Sequence, residues 1–438
     1  MTELRPLAFS AYVADAHARA ALVVQPRMGF GTLDRMREGL RATVAADAAT
    51  VGTLTLDSYT RVGDHVAAGR ALALGDELNG FPLVVHGAAD TKALVAAAVV
   101  GRVPVQVRHG SAQPLAIFRT LLDAGLDATE GGPVSYCLPY SRLPLAQAVE
   151  AWAESCETLA PGPDPGRPGH LESFAGCMLG QLCPPSLLVA LGILEGLFFR
   201  QHKLRSISLS YAQQIHPGQD CEAIQALRRL SDELLPGLDV HIVVYTFMGL
   251  FPATAAGAAA ISRDSVELAV SSGAQRLIVK TSAESQRIPT VVENVQALEL
   301  AARHAGRVAG RAVRSGDEGS ESETYLEARA LIDAVIGLHS DIGSALVSAF
   351  RTGLLDLPYC LHPDNAGRTR TAITPAGRLA WADTGRMPLP PRRELQPGGA
   401  GRLLEMLSHN RRRYDDPARH QVAEQLKGSE AWTLNRRN

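Results

Sequence analysis

The chain has 438 residues, enough for one large domain with extensions or for two domains. Lys and Arg number 43 against 45 Asp and Glu, a balance that provides no field for nucleic acid or an anionic membrane. Residues are 46% hydrophobic but only 5% aromatic, so the core must be built from Ala, Val and Leu.

Met1 to Ala18 has charges spread through it and does not read as a signal peptide. Short β-rich runs then alternate with amphipathic stretches. Candidate strands are Ala21–Gln25, Val51–Leu56, Pro82–His86, Val103–Val107 and Leu126–Thr129. Others lie at Leu171–Gly176, Leu204–Tyr211, His241–Tyr245 and Arg276–Val279. Helical patterns fall between them, at Thr32–Ala46, Leu115–Ala124 and Ser262–Ser271. Repeated β-then-α order predicts parallel strands joined by crossover helices. Eight such units make a (β/α)8 TIM barrel, so one of the nine candidate strands must be misread or lie outside it.

A doubly wound open sheet is the rival fold. Gly29-Phe30-Gly31 lacks the third glycine of a dinucleotide fingerprint, and no GxxxxGK[ST] is present. The most apolar run, Leu187–Phe199, is interrupted by Glu195 and is too short to span a bilayer; it reads as a buried helix. Ala160–Gly169 is a Pro/Gly loop, and Arg314–Glu323 an acidic exposed connector. Tyr325–Phe350 reads as helical, Leu389–Gly401 as an extended arm, and Arg411–Arg413 as a solvated helix face. The expected organisation is a barrel over 1–310, with a helical C-terminal region and arm over 325–438 packed on it.

The informative pattern lies in the residues at the strand ends. Arg27, Arg61, Arg108 with His109, Glu130 and Lys280 all stand there, and in a barrel these ends open onto one face. Asp34 and Asp57 are the nearest acids for structural ion pairs. Three arginines with few neighbouring acids fit a small dicarboxylic acid better, since guanidinium forks grip carboxylates bidentately. Glu130 can then face an ammonium group, so an amino-dicarboxylate satisfies every charge. Glu130 opens EGGPVSYCLPY, where two glycines permit a sharp turn and Tyr136 and Tyr140 bracket Pro139. Lys280 and Glu284 at i,i+4 make an ordinary ion pair if helical. Lys280 at a strand end also suits a Schiff base, the basis of an alternative lysine-dependent aldolase reading. Asn79 reads as a turn residue. The histidines form no HExxH, and the six cysteines no CxxC pair, so the expectation is no protein-bound metal and reduced thiols in a cytoplasmic protein.

Together QPRMGFG (25–31), LDSYTR (56–61), LNGFP (78–82), VRHG (107–110), EGGPVSYCLPY (130–140) and LIVKTSAES (277–285) resemble the large, epsilon subunit of glutamate mutase, or methylaspartate mutase. The resemblance runs from about Leu22 to beyond Gly367. It implies a TIM barrel that isomerises L-glutamate to (2S,3S)-3-methylaspartate with adenosylcobalamin. It implies an arginine claw of Arg27, Arg61 and Arg108, with His109, Glu130, Tyr136 and Tyr140 completing the substrate site. Gly29, Asn79, Pro139, Phe251, Lys280, Glu284 and Ile288 match cofactor-contacting positions. The corrin signature DxHxxG is absent; Asp15 and His17 are followed by Ala20. The implied partner is a separate small cobalamin-binding sigma subunit, in a heterotetramer built on a homodimer of the large subunit. A mutase of the same family acting on another amino diacid, and a non-catalytic scaffold for the small subunit, are the further alternatives.

Overall fold

Every predicted strand but one belongs to a single sheet. The computed structural model describes residues 7–99, 103–309, 322–390 and 400–416. The first four strands are β1 (Val23–Gln25), β2 (Gly52–Thr55), β3 (Val105–Arg108) and β4 (Ala128–Glu130). They are followed by β5 (His170–Ser173), β6 (Ser206–Ala212), β7 (Asp239–Tyr245) and β8 (Arg276–Ile278). All pairings between them are parallel, in the order β1-β8-β7-β6-β5-β4-β3-β2. Between β1 and β2 the ladder narrows to one bridge, Val24 to Thr50. Two backbone bonds of 2.9 Å, Val24 N–H to Ala49 O and Thr55 N–H to Met28 O, reinforce it. The result is a nearly closed, TIM-barrel-like sheet flanked by helices, with a helical C-terminal part.

The misread strand is Pro82–His86, which forms a short helical turn separated by a kink at Gly87 (φ 79°) from the rest of the Leu83–Val99 helical stretch. Val84 and Val85 suggested a strand through their β-branching. Pro82, however, stands where a helix needs no N–H donor, and its carbonyl accepts from Val85 and His86 at 3.0 Å. Tyr325–Phe350 is two helices, Glu323–Ile336 and Ile342–Thr352. Asp341 caps the second, accepting from Ser344 N–H at 2.7 Å. An antiparallel pair, β9 (Arg370–Ile373) and β10 (Leu379–Asp383), was not anticipated. Arg411–Arg413 lies on the His409–Asp415 helix, but Arg413 is more than a solvated charge, since its Nη1 donates to Ile215 O at 2.7 Å. Most of the predicted connector and arm, 314–321 and 391–399, lies outside the described residues.

The Pro185–Gln201 helix is buried from Pro185 through Phe199, Glu195 included. Beneath the rim, the barrel interior is polar. Gln25 Nε2 donates to Thr53 Oγ1 at 3.0 Å and to Gln106 Oε1 at 2.7 Å. Arg276, fully buried, donates to Gln25 Oε1 at 2.5 Å and to Ser208 Oγ at 3.1 Å, and pairs with Glu172. Phe9, from the Phe9–Ala18 helix, closes the opposite end. Its ring lies 5.0 Å from the Arg276 guanidinium and 5.0 Å from the His170 ring. Among the described residues no helix is long and apolar enough to cross a membrane.

Candidate active site

The strand register brings the predicted charges to one rim. Thr55 pairs with Arg108, and Glu130 with Glu172, so the last residues of β2 to β4 stand side by side. Arg108 is buried; its Nε donates to Glu130 Oε2 at 2.8 Å and its Nη2 to the Tyr245 hydroxyl at 3.2 Å. Burial alone would lower the Arg108 pKa. Glu130, then the phenols of Tyr245 and Tyr136 and then Glu172, outweigh it and raise it well above the usual value.

Glu130 is the hub. Its Oε1 accepts from the Tyr136 hydroxyl at 2.5 Å and its Oε2 from the Tyr245 hydroxyl at 2.9 Å. Tyr245 also contacts Glu172, and its single proton serves one carboxylate at a time. After Glu130 the chain turns at Gly131, whose φ of 126° suits glycine. A Cβ there would lie 2.4 Å from the Tyr136 ring and 2.5 Å from Trp152. The anticipated sharp turn is therefore also a close packing contact.

Arg27 Nη1 donates to Glu284 Oε2 at 2.9 Å, while its Nε is buried without a partner. Arg61 Nε donates to Leu56 O at 3.0 Å, and among the described residues Arg61 has no ion pair. Burial lowers the Arg61 pKa; Tyr136 and Glu130 oppose this, and Arg108 and Arg27 add to it. Partial burial raises the Tyr140 hydroxyl to about 12, and Cys177, Arg27, Glu130 and Arg61 all act on it. The three arginines thus share one electrostatic neighbourhood. The acids anticipated for them were the wrong ones. Asp57 instead caps a helix, accepting from Tyr59 N–H at 2.9 Å and Thr60 N–H at 3.1 Å, and Asp34 pairs with Arg37 at 2.6 Å. Glu284 and Glu130 take those places, so two arms of the claw are held by acids of the chain itself.

His109 stacks on Trp152 with centroids 5.9 Å apart and meets Tyr136 edge-on at 5.2 Å. Its Nδ1 accepts from Ser111 N–H at 3.1 Å, which places the proton on Nε2. Burial, then the Arg61 charge, lowers its pKa to about 3, although the Glu130 backbone opposes the shift. At neutral pH His109 is an uncharged donor whose Nε2 lacks a well-formed bond.

Gly29, Asn79, Glu284 and Ile288 line one cleft of about 480 Å³ with Arg27 and Arg61. Pro139 and Tyr140 line a second, of about 760 Å³, which Arg61 also borders. Gly29 permits a close approach, because a Cβ there would lie 2.0 Å from Thr55 O. Asn79 Oδ1 accepts from Ser58 N–H at 2.9 Å, as befits a turn residue. Lys280 lies 3.8 Å from Glu284 and 5.0 Å from the centre of the Phe251 ring. Burial lowers its pKa to about 8, against the pull of Glu284. Among the described residues, no group of His, Cys, Asp and Glu is arranged to hold a metal ion.

Sequence reasoning did not single out Glu172, Tyr245 and Arg276 as part of this network. Their available signal was a charge inside a short strand: Glu172 in β5 and Arg276 opening β8.

The fold and rim define a TIM-barrel-like protein with arginines and carboxylates clustered at the C-terminal ends of its strands. The chain belongs to the methylaspartate mutase E chain (MutE) family, whose sequence model matches residues 6–399. It is 31% identical over 379 residues to the "Glutamate mutase epsilon subunit" of Haloarcula marismortui, covering 84% of this chain and 77% of that protein. The protein of the same name in Halobacterium salinarum is 32% identical over 390 residues, covering 85% and 78%. That of Escherichia coli O157:H7 is 30% identical over 397 residues, covering 87% and 81%.

Proposed function

We propose that the chain is the large subunit of an adenosylcobalamin-dependent mutase that interconverts L-glutamate and (2S,3S)-3-methylaspartate. The observation that carries this is the gathering of Arg27, Arg61 and Arg108 around Glu130 at one rim. Glu284 is shared by Arg27 and Lys280, Glu130 answers Arg108, and Arg61 has no acid among the described residues, so the rim keeps a net positive charge. An amino-dicarboxylate brings a net negative charge, of the complementary sign. Its carboxylates fit the guanidinium forks, and its ammonium fits Glu130. Neutral His109 and Tyr140 add donors without adding charge, while the Tyr136 hydroxyl is spent on Glu130 and orients it.

The residues also fit the cofactor. The unpartnered buried Nε of Arg27 and hydroxyl of Thr55, in the cleft that Gly29 and Asn79 also line, suit a polar adenosine there. Asn79, Phe251, Lys280, Glu284 and Ile288 would hold it, with Lys280 and Glu284 placed for ribose hydroxyls, and Pro139 would meet the corrin. The cofactor supplies the radical chemistry when bound. The chain's part is to anchor the substrate, orient it and exclude water. A separate small sigma subunit would bring the corrin, completing a heterotetramer around a homodimer of this chain. The Lys280 aldolase reading is less favoured, because its ammonium is already engaged by Glu284 and Phe251. Borohydride trapping of a substrate on Lys280 would reverse that ranking.

Glutamate should be converted only when the chain, a small subunit and adenosylcobalamin are combined. Proton NMR checks this through the methyl doublet of methylaspartate, and its absence from the full mixture rules against the proposal. Activity should also fall above about pH 8 as Lys280 loses its proton. Lys280→Arg, which stays charged, should remove that alkaline limb of the kcat profile; an unaltered limb assigns it to another group.

A further inference from the structure

Glu195 is a carboxylate in the middle of a helix whose residues from Pro185 to Phe199 are all buried. Nothing in the proposed chemistry uses it, and a buried acid is costly unless its lone pairs are filled. They are filled by the segment that carries the substrate tyrosine. Glu195 Oε1 accepts from Val134 N–H at 3.2 Å and from Ser135 N–H at 2.9 Å. Its Oε2 accepts from Ser135 Oγ at 3.1 Å and from Ser173 Oγ, at the end of β5, at 2.6 Å. The carboxylate lies directly against Gly132, where a Cβ would fall 2.2 Å from it. Four donors from two neighbouring strand ends converge on one side chain, and three belong to the turn between Glu130 and Tyr136.

We infer that Glu195 is a positioning residue for substrate binding, clamping the 131–135 turn so that Tyr136 and Glu130 meet. The clamp explains a four-residue segment, Gly132 to Ser135, with no strand to hold it. Gly131 N–H donates to Glu172 O at 2.8 Å and Tyr136 N–H to Gly132 O at 3.1 Å, and the clamp adds a side-chain tie at Val134 and Ser135 between these two backbone bonds. The inference rests on the substrate site proposed above but concerns the shape of the free chain, so the two can fail separately.

The clamp is also sensitive to pH. Burial raises the Glu195 pKa to about 7, against the hydrogen bonds of Ser173, Ser135 and Val134. No salt bridge involves Glu195 among the described residues. The titratable neighbour from the Leu145–Leu159 helix is Cys156, whose thiol is raised by burial and then by Glu195, so it stays neutral. Glu195 titrates at 4.5 when unfolded, so between that value and about 7 the folded chain holds the extra proton. Global stability therefore falls as pH rises through this window. The ionised form nonetheless grips the turn harder, because charge-assisted hydrogen bonds are about twice as strong as neutral ones. Fold and turn are thus driven in opposite directions by one proton.

Amide hydrogen exchange of the free chain tests this, with the peptide covering 131–136 compared with β6 as reference. Wild-type protection of the turn should fall about fivefold from pH 8 to pH 6. Glu195→Gln keeps an acceptor for both amides and a donor for both hydroxyls, so it should match the low-pH wild type at either pH. Glu195→Ala leaves two buried N–H groups unpaired and should lose at least about tenfold at both. A pH-independent wild type with Glu195→Gln equal to it at pH 8, or a fully protected Glu195→Ala, overturns the inference. If the alanine variant does not fold, the wild-type and glutamine series still decide. In the reconstituted enzyme, Glu195→Gln should raise the KM for glutamate at pH 8 by about fivefold with little change in kcat. A purely structural defect would lower kcat through the active fraction and leave KM alone. If the wild type turns over no glutamate, the mutase reading fails and the exchange result still stands for the clamp.

Discussion

Arg108→Lys should lower kcat/KM for glutamate about a hundredfold, with most of the loss in KM. Arg108 is the most enclosed arm of the claw, and it meets Glu130 through Nε and Tyr245 through Nη2. These two contacts fix the plane of the guanidinium before a ligand arrives. Lysine keeps the charge but offers a flexible point donor, so it cannot hold Glu130 and Tyr245 while also gripping a carboxylate. Losing one charge-assisted hydrogen-bonded contact costs about 1.5–3 kcal/mol, and a bidentate grip loses toward the upper end. At about 1.4 kcal/mol per factor of ten, that is roughly a hundredfold. Steady-state kinetics of the reconstituted enzyme measures it. A change smaller than about threefold would mean that Arg108 serves only its buried ion pair. Arg119→Lys, on an exposed pair with Glu154, is the control and should be neutral.

Glu172→Gln should be the most damaging single change to stability, at about 3–5 kcal/mol. Glu172 and Arg276 are both fully buried, and the carboxylate also receives Tyr245, Gln106 Nε2 at 3.2 Å and Ser208 Oγ at 3.3 Å. Glutamine is nearly isosteric but leaves the guanidinium without a counter-charge. Urea unfolding at pH 7 checks the size. Adding Arg276→Met to Glu172→Gln should cost much less than the sum of the two single changes, because the stranded charge is then gone. The same pair predicts acid sensitivity. Burial would raise the Glu172 pKa, but Arg276 and then the Tyr245 hydroxyl outweigh it, so the folded value lies below the usual 4.5. Its stabilisation is therefore present above pH 4.5 and is lost as pH falls through the folded value. Wild-type stability should drop more steeply than that of Glu172→Gln below pH 4.5; parallel curves would place the acid sensitivity elsewhere.

Much of the site was legible because barrel strands end in the residues that matter. Arg108 and Glu130 are the last residues of β3 and β4, so the charge closing each apolar run pointed to them directly. Glu172 and Arg276 escaped because one lies inside a strand and the other begins one, where polar residues are ordinarily read as facing solvent; Tyr245 ends β7, but as an uncharged phenol it closes an apolar run without marking it. In this barrel the interior is a hydrogen-bonded layer from Gln25 to Arg276, so alternation does not separate inside from outside. Pro82–His86 failed for a related reason. β-branched side chains report a preference of a few tenths of a kcal/mol, which a proline in the first helical turn readily overrides.

From sequence alone came the parallel α/β order, the barrel class, the family resemblance and the cationic rim. These depend on local periodicity and on residues next to each other in the chain. Which acid answers which arginine was decided only by tertiary structure. Glu284 reaches Arg27 across 257 positions, and Arg276 reaches Glu172 across 104. Such partners are set by how strands close around an axis, and hydrogen bonding in a buried interior selects them by geometry rather than by separation along the chain.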